Sequence, residues 1–574
     1  MALLKLREAA LIDRNRDPVL TEVVRNALAM VAEEAGIAAA RSASSPFVSQ
    51  ASAIACALFD ARGRLVAQTA GGLLHVSALQ VMLRDVMVSH PAATLVEGDA
   101  IILNDPFRGG IHPTDVGAFR PIFHDGELAF YCGAMMIVSD LGGLSAGGLP
   151  ANATETFHEG IVLPSLKFFA GGARVPEVEA LLRANSRTPQ RIVGDVEALV
   201  IGGNIAAARM AALIGRHGIE TVRGIIEQLF DHAERMTRHG IAAMPDGVYR
   251  GRYDIEEDGA ESGRLFRVAA EVTVTGDRCR FDFTGTSPQA RGAINSSFSQ
   301  SLSAVVFALR CYLDPEIPLN EGFYRCIEVT LPEGTLVNPN HPAACNLRMA
   351  TVHAMIDAVS RAFAEAYPDH AIAAPGVVAT VTAHGKQPGG GANWSFLDVF
   401  FGVGGARTGA DGADGSPFVL YGASNYDRNI ESYELEFPIL YHEYRLLTDS
   451  GGAGRQRGGC GLVKTVEFLV DADITVRGTD RYLVPPQGVA GGLPGSPGAW
   501  ILNRGRADAL DLPPKKTNHR IRAGDTLTMI AAGGGGLGDP RERARNAVRA
   551  DIADGYVSLA AARDIYGHDA EGGA

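Results

Sequence analysis

Leu103-Asn104-Asp105-Pro106-Phe107-Arg108-Gly109-Gly110-Ile111-His112-Pro113-Thr114-Asp115 holds both a fold signal and a chemical one. The apolar run Ala100–Leu103 predicts a strand, Asn-Asp-Pro initiates a turn, and Gly-Gly bends the chain again before His112 and Asp115 are presented on a loop. Loops after strand ends are where chemistry is commonly mounted. A His and an Asp three residues apart suit Mn, Fe or Zn. They equally suit a hydrogen-bonded pair that steadies the loop, and for an isolated match that structural reading is the better one.

Working outward, residues 18–40 carry apolar positions at helical spacing and predict an amphipathic helix, with Gly36 near its C-cap. Cys56–Ala67 reads as a hairpin in which Gly63 supplies a positive φ. Residues 74–88 predict a second helix. From 100 to 163, short β-type runs (100–103, 128–132, 135–138) alternate with Gly- and Pro-bearing loops. Helices resume from 176 to about 243, strands over 247–285, and helices at 301–312 and 352–366. Beyond about 440 the pattern is short strands punctuated by Gly and Pro, until a helical segment at 541–566. The expected class is α+β in a large multi-domain chain. Residues 1–245 form an N-terminal α/β domain with the His112 loop, 246–440 a central α+β domain, and 441–574 a β-rich domain with a terminal helix.

Composition narrows the function. The 574 residues are 46% hydrophobic and 20% charged, a globular balance. A net charge of -13 repels phosphate backbones and anionic lipid, so neither nucleic acid nor a membrane is an expected partner. No secretory signal and no run of about 18 apolar residues is evident, which predicts a soluble cytoplasmic protein. Seven cysteines stand singly, as reduced thiols do. The 68 glycines fall in clusters. Gly402-Val-Gly-Gly-Ala-Arg-Thr-Gly409 imitates a dinucleotide fingerprint but opens no βαβ unit, so turn geometry or a close backbone approach to a ligand or subunit is the favoured reading.

Asn104–Asp115 resembles the signature of the hydantoinase B/oxoprolinase family. Further blocks resemble that family too: Ala153-Thr-Glu-Thr-Phe-His-Glu159, Phe281-Asp-Phe-Thr-Gly-Thr-Ser-Pro288, Leu313-Asp-Pro-Glu-Ile-Pro-Leu-Asn320, Asp449–Gly459 and Gly533–Pro540. The resemblance implies a B-type subunit of an ATP-dependent cyclic-amide hydrolase or, alternatively, of an acetone/acetophenone-type ketone carboxylase. It further implies an actin-like A-type partner that binds ATP and phosphorylates the small-molecule substrate's carbonyl oxygen, and further small subunits in the carboxylase case. The absence of a Gly-x-x-x-x-Gly-Lys-Ser/Thr loop here agrees with ATP being bound elsewhere.

The resemblance also implies a divalent metal, and here the chain departs from the pattern. Ala53 stands where the family carries an Asp, Ile137 and Val138 where it carries His, and Leu347-Arg348-Met349-Ala350 replaces an amide- and carboxylate-bearing block. His112 and Asp115 remain as an incomplete ligand pair, so Mn, Fe or Zn is expected to bind weakly or not at all. The candidate catalytic residues are His112, Asp115 and His75, the last matching a family His. Asp140 and Arg348 are the candidate substrate-binding residues, since a guanidinium can grip carboxylate or phosphate bidentately. Glu155 and Glu159 read better as structural carboxylates. Two further readings stay open: a degenerate structural paralogue, and a stand-alone metal hydrolase.

Overall fold

The computed structural model describes residues 17–45, 54–71, 73–389, 393–400, 402–415 and 429–568. Their architecture is mixed α and β, with four sheets, as the expected class requires. The first helix, α1 (Pro18–Ser42), begins where Asp17 Oδ1 accepts the Val19 N–H at 2.8 Å and Pro18 needs no partner. β1 (Ile54–Asp60) and β2 (Leu65–Gln68) form the predicted hairpin, with Gly63 at φ 77°. α2 (Leu73–Ser89), β3 (Ala100–Leu103), β4 (Asp115–His124), β5 (Glu127–Ile137), β6 (Leu166–Ala170) and β7 (Ala173–Arg174) follow.

These strands make one seven-stranded antiparallel sheet in the order β2-β1-β5-β4-β3-β6-β7. The two short runs expected at 128–132 and 135–138 are a single strand. Gly133 does not break it, because a Cβ there would lie 2.8 Å from the Phe119 ring, so a small residue is required beneath that ring. After the exposed Glu127, β5 is apolar because both of its faces are covered. Phe130, Cys132, Ala134 and Met136 join the core under α1, while Tyr131 and Met135 join the core under α2. Each fully buried large side chain of this kind contributes about 1.5–3 kcal/mol.

α3 (Pro176–Ala184), α4 (Pro189–His217) and α5 (Ile219–Ala242) complete this half. α4 is the one helix among the described residues long and apolar enough to cross a membrane. It packs on α1, β4 and β5, and half of its apolar window is buried, as in a core helix.

The next core is built on β8 (Gly247–Ile255), β9 (Phe266–Thr275), β10 (Arg278–Asp282), α6 (Phe298–Arg310), β11 (Ile327–Thr330) and α7 (Met349–Ala366). The sheet order is β11-β10-β9-β8, and α7 lies across β8 and β9. β9 alternates buried and more exposed positions, the signature of a sheet covered on one side.

β12 (Ala379–Lys386) and β13 (Asn393–Phe400) come next, then α8 (Ile430–Glu436), β14 (Ile439–Leu446), β15 (Leu462–Phe468), β16 (Ala472–Gly478), β17 (Ala499–Leu502), β18 (Leu510–Leu512), β19 (Lys515–Ile521) and β20 (Thr526–Ile530). They form the sheets β13-β12-β16-β19 and β14-β15-β20-β17-β18, which share one core around Phe396, Trp500 and Leu527. The hairpin β12–β13, from the segment before 440, therefore pairs with strands from the segment after it. α9 (Arg545–Ala553) and α10 (Leu559–Asp564) close the described chain.

The glycine clusters pack against one another. Gly404 N donates to Ala413 O, Gly459 N to Gly404 O, Gly534 N to Gly459 O and Gly452 N to Gly534 O, all within 2.7–3.0 Å. A Cβ on Gly458 would sit 2.0 Å from Gly534 O, and one on Gly492 would sit 2.2 Å from Gly536 O. The close backbone approach expected from Gly402–Gly409 is thus made within the chain itself.

Candidate functional site

The His112 loop is built to be rigid. At the end of β3, Asn104 Nδ2 donates to Pro113 O at 2.6 Å and Ile161 O at 3.0 Å, while its Oδ1 accepts from Leu163 N at 2.6 Å. Asp105 Oδ1 accepts from Phe107 N at 2.9 Å, making the turn that the sequence announced. Gly109, at φ 97°, lies so close to α2 that a Cβ would meet Met82 N at 2.6 Å. Gly110 O accepts from the hydroxyls of Ser297 and Ser299 at 2.9 and 2.8 Å, tying the loop to the start of α6.

This frame brings His75, His112, Asp115 and Arg348 together. Asp115 begins β4 and is 1% exposed. Its Oδ2 lies 3.0 Å from His112 Nε2 and accepts from Arg348 Nη2, also at 3.0 Å. Its Oδ1 lies 3.7 Å from His75 Nε2 on α2. Burial alone would raise the Asp115 pKa, but His112, Arg348 and His75 hold the carboxyl well below its ordinary range. Burial lowers His112 to about 4, helped by Arg348 and Arg477 and opposed by Asp115. The imidazole is therefore neutral at pH 7, with Nε2–H donating to Asp115 and Nδ1 accepting from the Thr114 hydroxyl at 2.6 Å. His112 is completely buried, whereas His75 keeps 18% of its side chain exposed and its Nδ1 has no partner.

Arg348 sits just before α7, and a second carboxylate fixes its position. Glu159 Oε1 accepts from Cys345 N, Asn346 N and Asn346 Nδ2 at 2.7–3.0 Å, and Arg348 N donates to Cys345 O. Arg477 on β16 donates to Asn346 O and Oδ1. Burial pushes Glu159 up to about 7 against those donors. Glu155 is half-exposed and pairs with His158.

Asp140 does not join the cluster. Its carboxylate accepts from Gly142 N, Gly147 N, Ser186 Oγ, Arg187 N and Arg187 Nη1, which fills the roughly four lone-pair sites of a carboxylate. That leaves it holding the 142–147 loop, with no oxygen to offer the substrate it was expected to bind. Ser297, Ser299, Gln300, Asn346 and Arg477 were not singled out from sequence. The only cue was the polar run Asn295-Ser-Ser-Phe-Ser-Gln-Ser301 at a helix start.

The donor set does not fit a divalent cation. Asp115 is engaged by His112 and Arg348, and the guanidinium places a positive charge where the metal would bind. Ile137 and Val138 line a cavity of about 70 Å³ with Leu149, Phe396 and Phe437 and offer it no donor. Ala53 lies outside the described residues. Among the described residues, no three His, Cys, Asp or Glu side chains are arranged to hold a metal ion.

The sequence profile of the hydantoinase B/oxoprolinase family matches residues 17–540. The chain belongs to that family. Among its hydantoinase B/oxoprolinase relatives, the beta chain of the caprolactamase of Pseudomonas jessenii is 31% identical, with 96% of both chains aligned. A Pseudomonas protein named as the B component of a D-/L-hydantoinase is 29% identical over 96% of this chain and 95% of its own. The crystal structure of the P. jessenii ATP-dependent caprolactamase superposes with a TM-score of 0.88 over 97% of each chain, at 29% identity. Acetone carboxylase in its nucleotide-free form gives a TM-score of 0.86 at 22% identity, over 97% of this chain and 80% of its own, which is a likeness of fold.

Proposed function

We propose that this chain is the B-type subunit of an ATP-dependent cyclic-amide hydrolase, working in the cytoplasm with an actin-like A-type subunit that phosphorylates the substrate's carbonyl oxygen. The observation that carries this reading is the end-to-end correspondence with two amide-hydrolase subunits, 96% of this chain in each case. An amide carbon resists water until its oxygen becomes a leaving phosphate. One water adds to the phosphorylated carbon, and the C–N bond breaks as the ring nitrogen takes up a proton. A second water cleaves the resulting acyl phosphate, so the overall reaction consumes amide, ATP and a water for each of these two steps and yields the ring-opened acid, ADP and phosphate.

The site supplies groups for the water step. Partly exposed His75 takes the proton of the attacking water, and Asp115 orients His75. Buried His112 touches no substrate; it holds Asp115 through one nitrogen and is itself fixed by Thr114 through the other. Arg348 supplies positive charge beside the reacting phosphorylated carbon. The acetone-carboxylase fold supports the second reading, a ketone carboxylase that takes bicarbonate and involves additional small subunits.

Reconstitution with the cognate ATP-binding subunit tests both readings. ADP release coupled to ring opening of a hydantoin, 5-oxoproline or a lactam is expected. Turnover only with a ketone and bicarbonate would favour the second reading, and none across the panel would overturn both.

A further inference from the structure

We infer that the Asp115 site works with a guanidinium in place of a divalent metal, and that Arg348 grips the phosphoryl oxygens of the activated substrate. Arg348 is held at two points, with Nη2 on Asp115 at 3.0 Å and Nε on Gln300 at 3.3 Å. Its Nη1 has no partner among the described residues, and 11% of the side chain stays exposed, so a directed pair of N–H donors is left for a ligand. A planar fork held this way suits tetrahedral oxyanions better than a mobile ammonium does.

The charge balance points the same way. Two guanidinium groups converge here, Arg348 resting on Asp115 and Arg477 on the neighbouring Asn346. A cation entering here would have to displace Arg348 from Asp115 and remain beside it. An anion would meet the free N–H donors of the Arg348 guanidinium. The Glu159 clamp on residues 345–346 fixes the turn that leads into Arg348, so the guanidinium is placed before any ligand arrives.

The phosphoryl identity rests on the hydrolase reading, whereas the exclusion of metal does not. In the first test, the full-length chain is incubated with Zn²⁺ or Mn²⁺, desalted and analysed for metal. Less than one equivalent is expected. A stoichiometric ion that Asp115→Asn releases would overturn the inference while leaving the hydrolase reading standing. In the second, inorganic phosphate is titrated calorimetrically into the wild type, Arg348→Lys and Arg348→Gln. Affinity is expected to fall at least about tenfold in Arg348→Gln and by less in Arg348→Lys. Equal affinity in all three, or no phosphate binding by the wild type, would overturn the phosphoryl assignment. Should Arg348→Gln not fold, Arg348→Lys and the wild-type metal assay still decide. Absence of turnover with the partner subunit would sink the hydrolase reading and leave both of these measurements intact.

Discussion

Arg348 Nη2 and Asp115 Oδ2 meet at 3.0 Å across 233 positions of sequence, a buried ion pair joining the start of β4 to the start of α7. Removing either partner strands a charge in the interior at a cost of about 3–5 kcal/mol. Arg348→Ala and Asp115→Ala are each expected to lower stability by that order. The double variant should lose clearly less than the sum, because the second deletion removes the charge that the first left unpaired. Urea unfolding of the four proteins measures this, and strictly additive losses would refute the pairing.

His75 is the most exposed member of the cluster, with 18% of its side chain accessible, so it is the group placed to handle water. In the assembled enzyme, His75→Gln should lower kcat by about 10²–10⁴-fold, as loss of a general base does. ATP consumption by the partner should continue without ring opening. Loss of ATP consumption in step with ring opening would assign His75 to an earlier event or to assembly.

Glu159 is an acid whose pKa rises on folding, from 4.5 to about 7. Between those values the unfolded chain releases its proton while the folded chain keeps it, so stability falls as pH rises from 4.5 to 7 and levels off above. The accumulated penalty is roughly 3 kcal/mol. Glu159→Gln retains an Oε1 for the three donors and places an amide where Oε2 lacks a partner. Stability curves at pH 5 and pH 8 should therefore converge for the variant, and an unchanged difference would assign the slope elsewhere.

Gly109 touches the backbone of α2, the helix that carries His75. Gly109→Ala must push α2 from the His112 loop, and a displacement near 1 Å at the site is expected to cost about 10²-fold in turnover. Gly126→Ala is the control: Gly126 also has positive φ, but no atom lies within 4 Å of its added Cβ. Activity in the control should be near that of the wild type, and equal losses in both would point to backbone strain as the cause.

Much of this was legible in the residues. Hydrophobic spacing gave α1 and α2, Gly63 gave the first hairpin, and Asn104–Asp115 marked the loop on which the site is mounted. The error at 128–138 came from treating Gly133 as a break, because the ring of Phe119 that demands a small residue there lies on another strand. Arg348 could be noticed as an unusual cation but not paired with Asp115, because no local rule connects residues that far apart. Asp140 misled for the opposite reason: its partners are mostly loop amides, which any sequence supplies. The polar run 295–301 spoke of a helix start, and only tertiary packing turns its serines toward Gly110.

The glycine stack also bears on how the protein is made. Its main-chain bonds link Gly404, Gly459, Gly452 and Gly534, so the layer translated last is contributed by residues 533–538. On the ribosome, the earlier layers must wait with unsatisfied amides until some 130 further residues beyond Gly404 have been synthesised and the long loops between layers have closed. A nascent chain that stalls before residue 533 would display an incomplete glycine wall to chaperones and proteases, although the strands of all four sheets had already been translated.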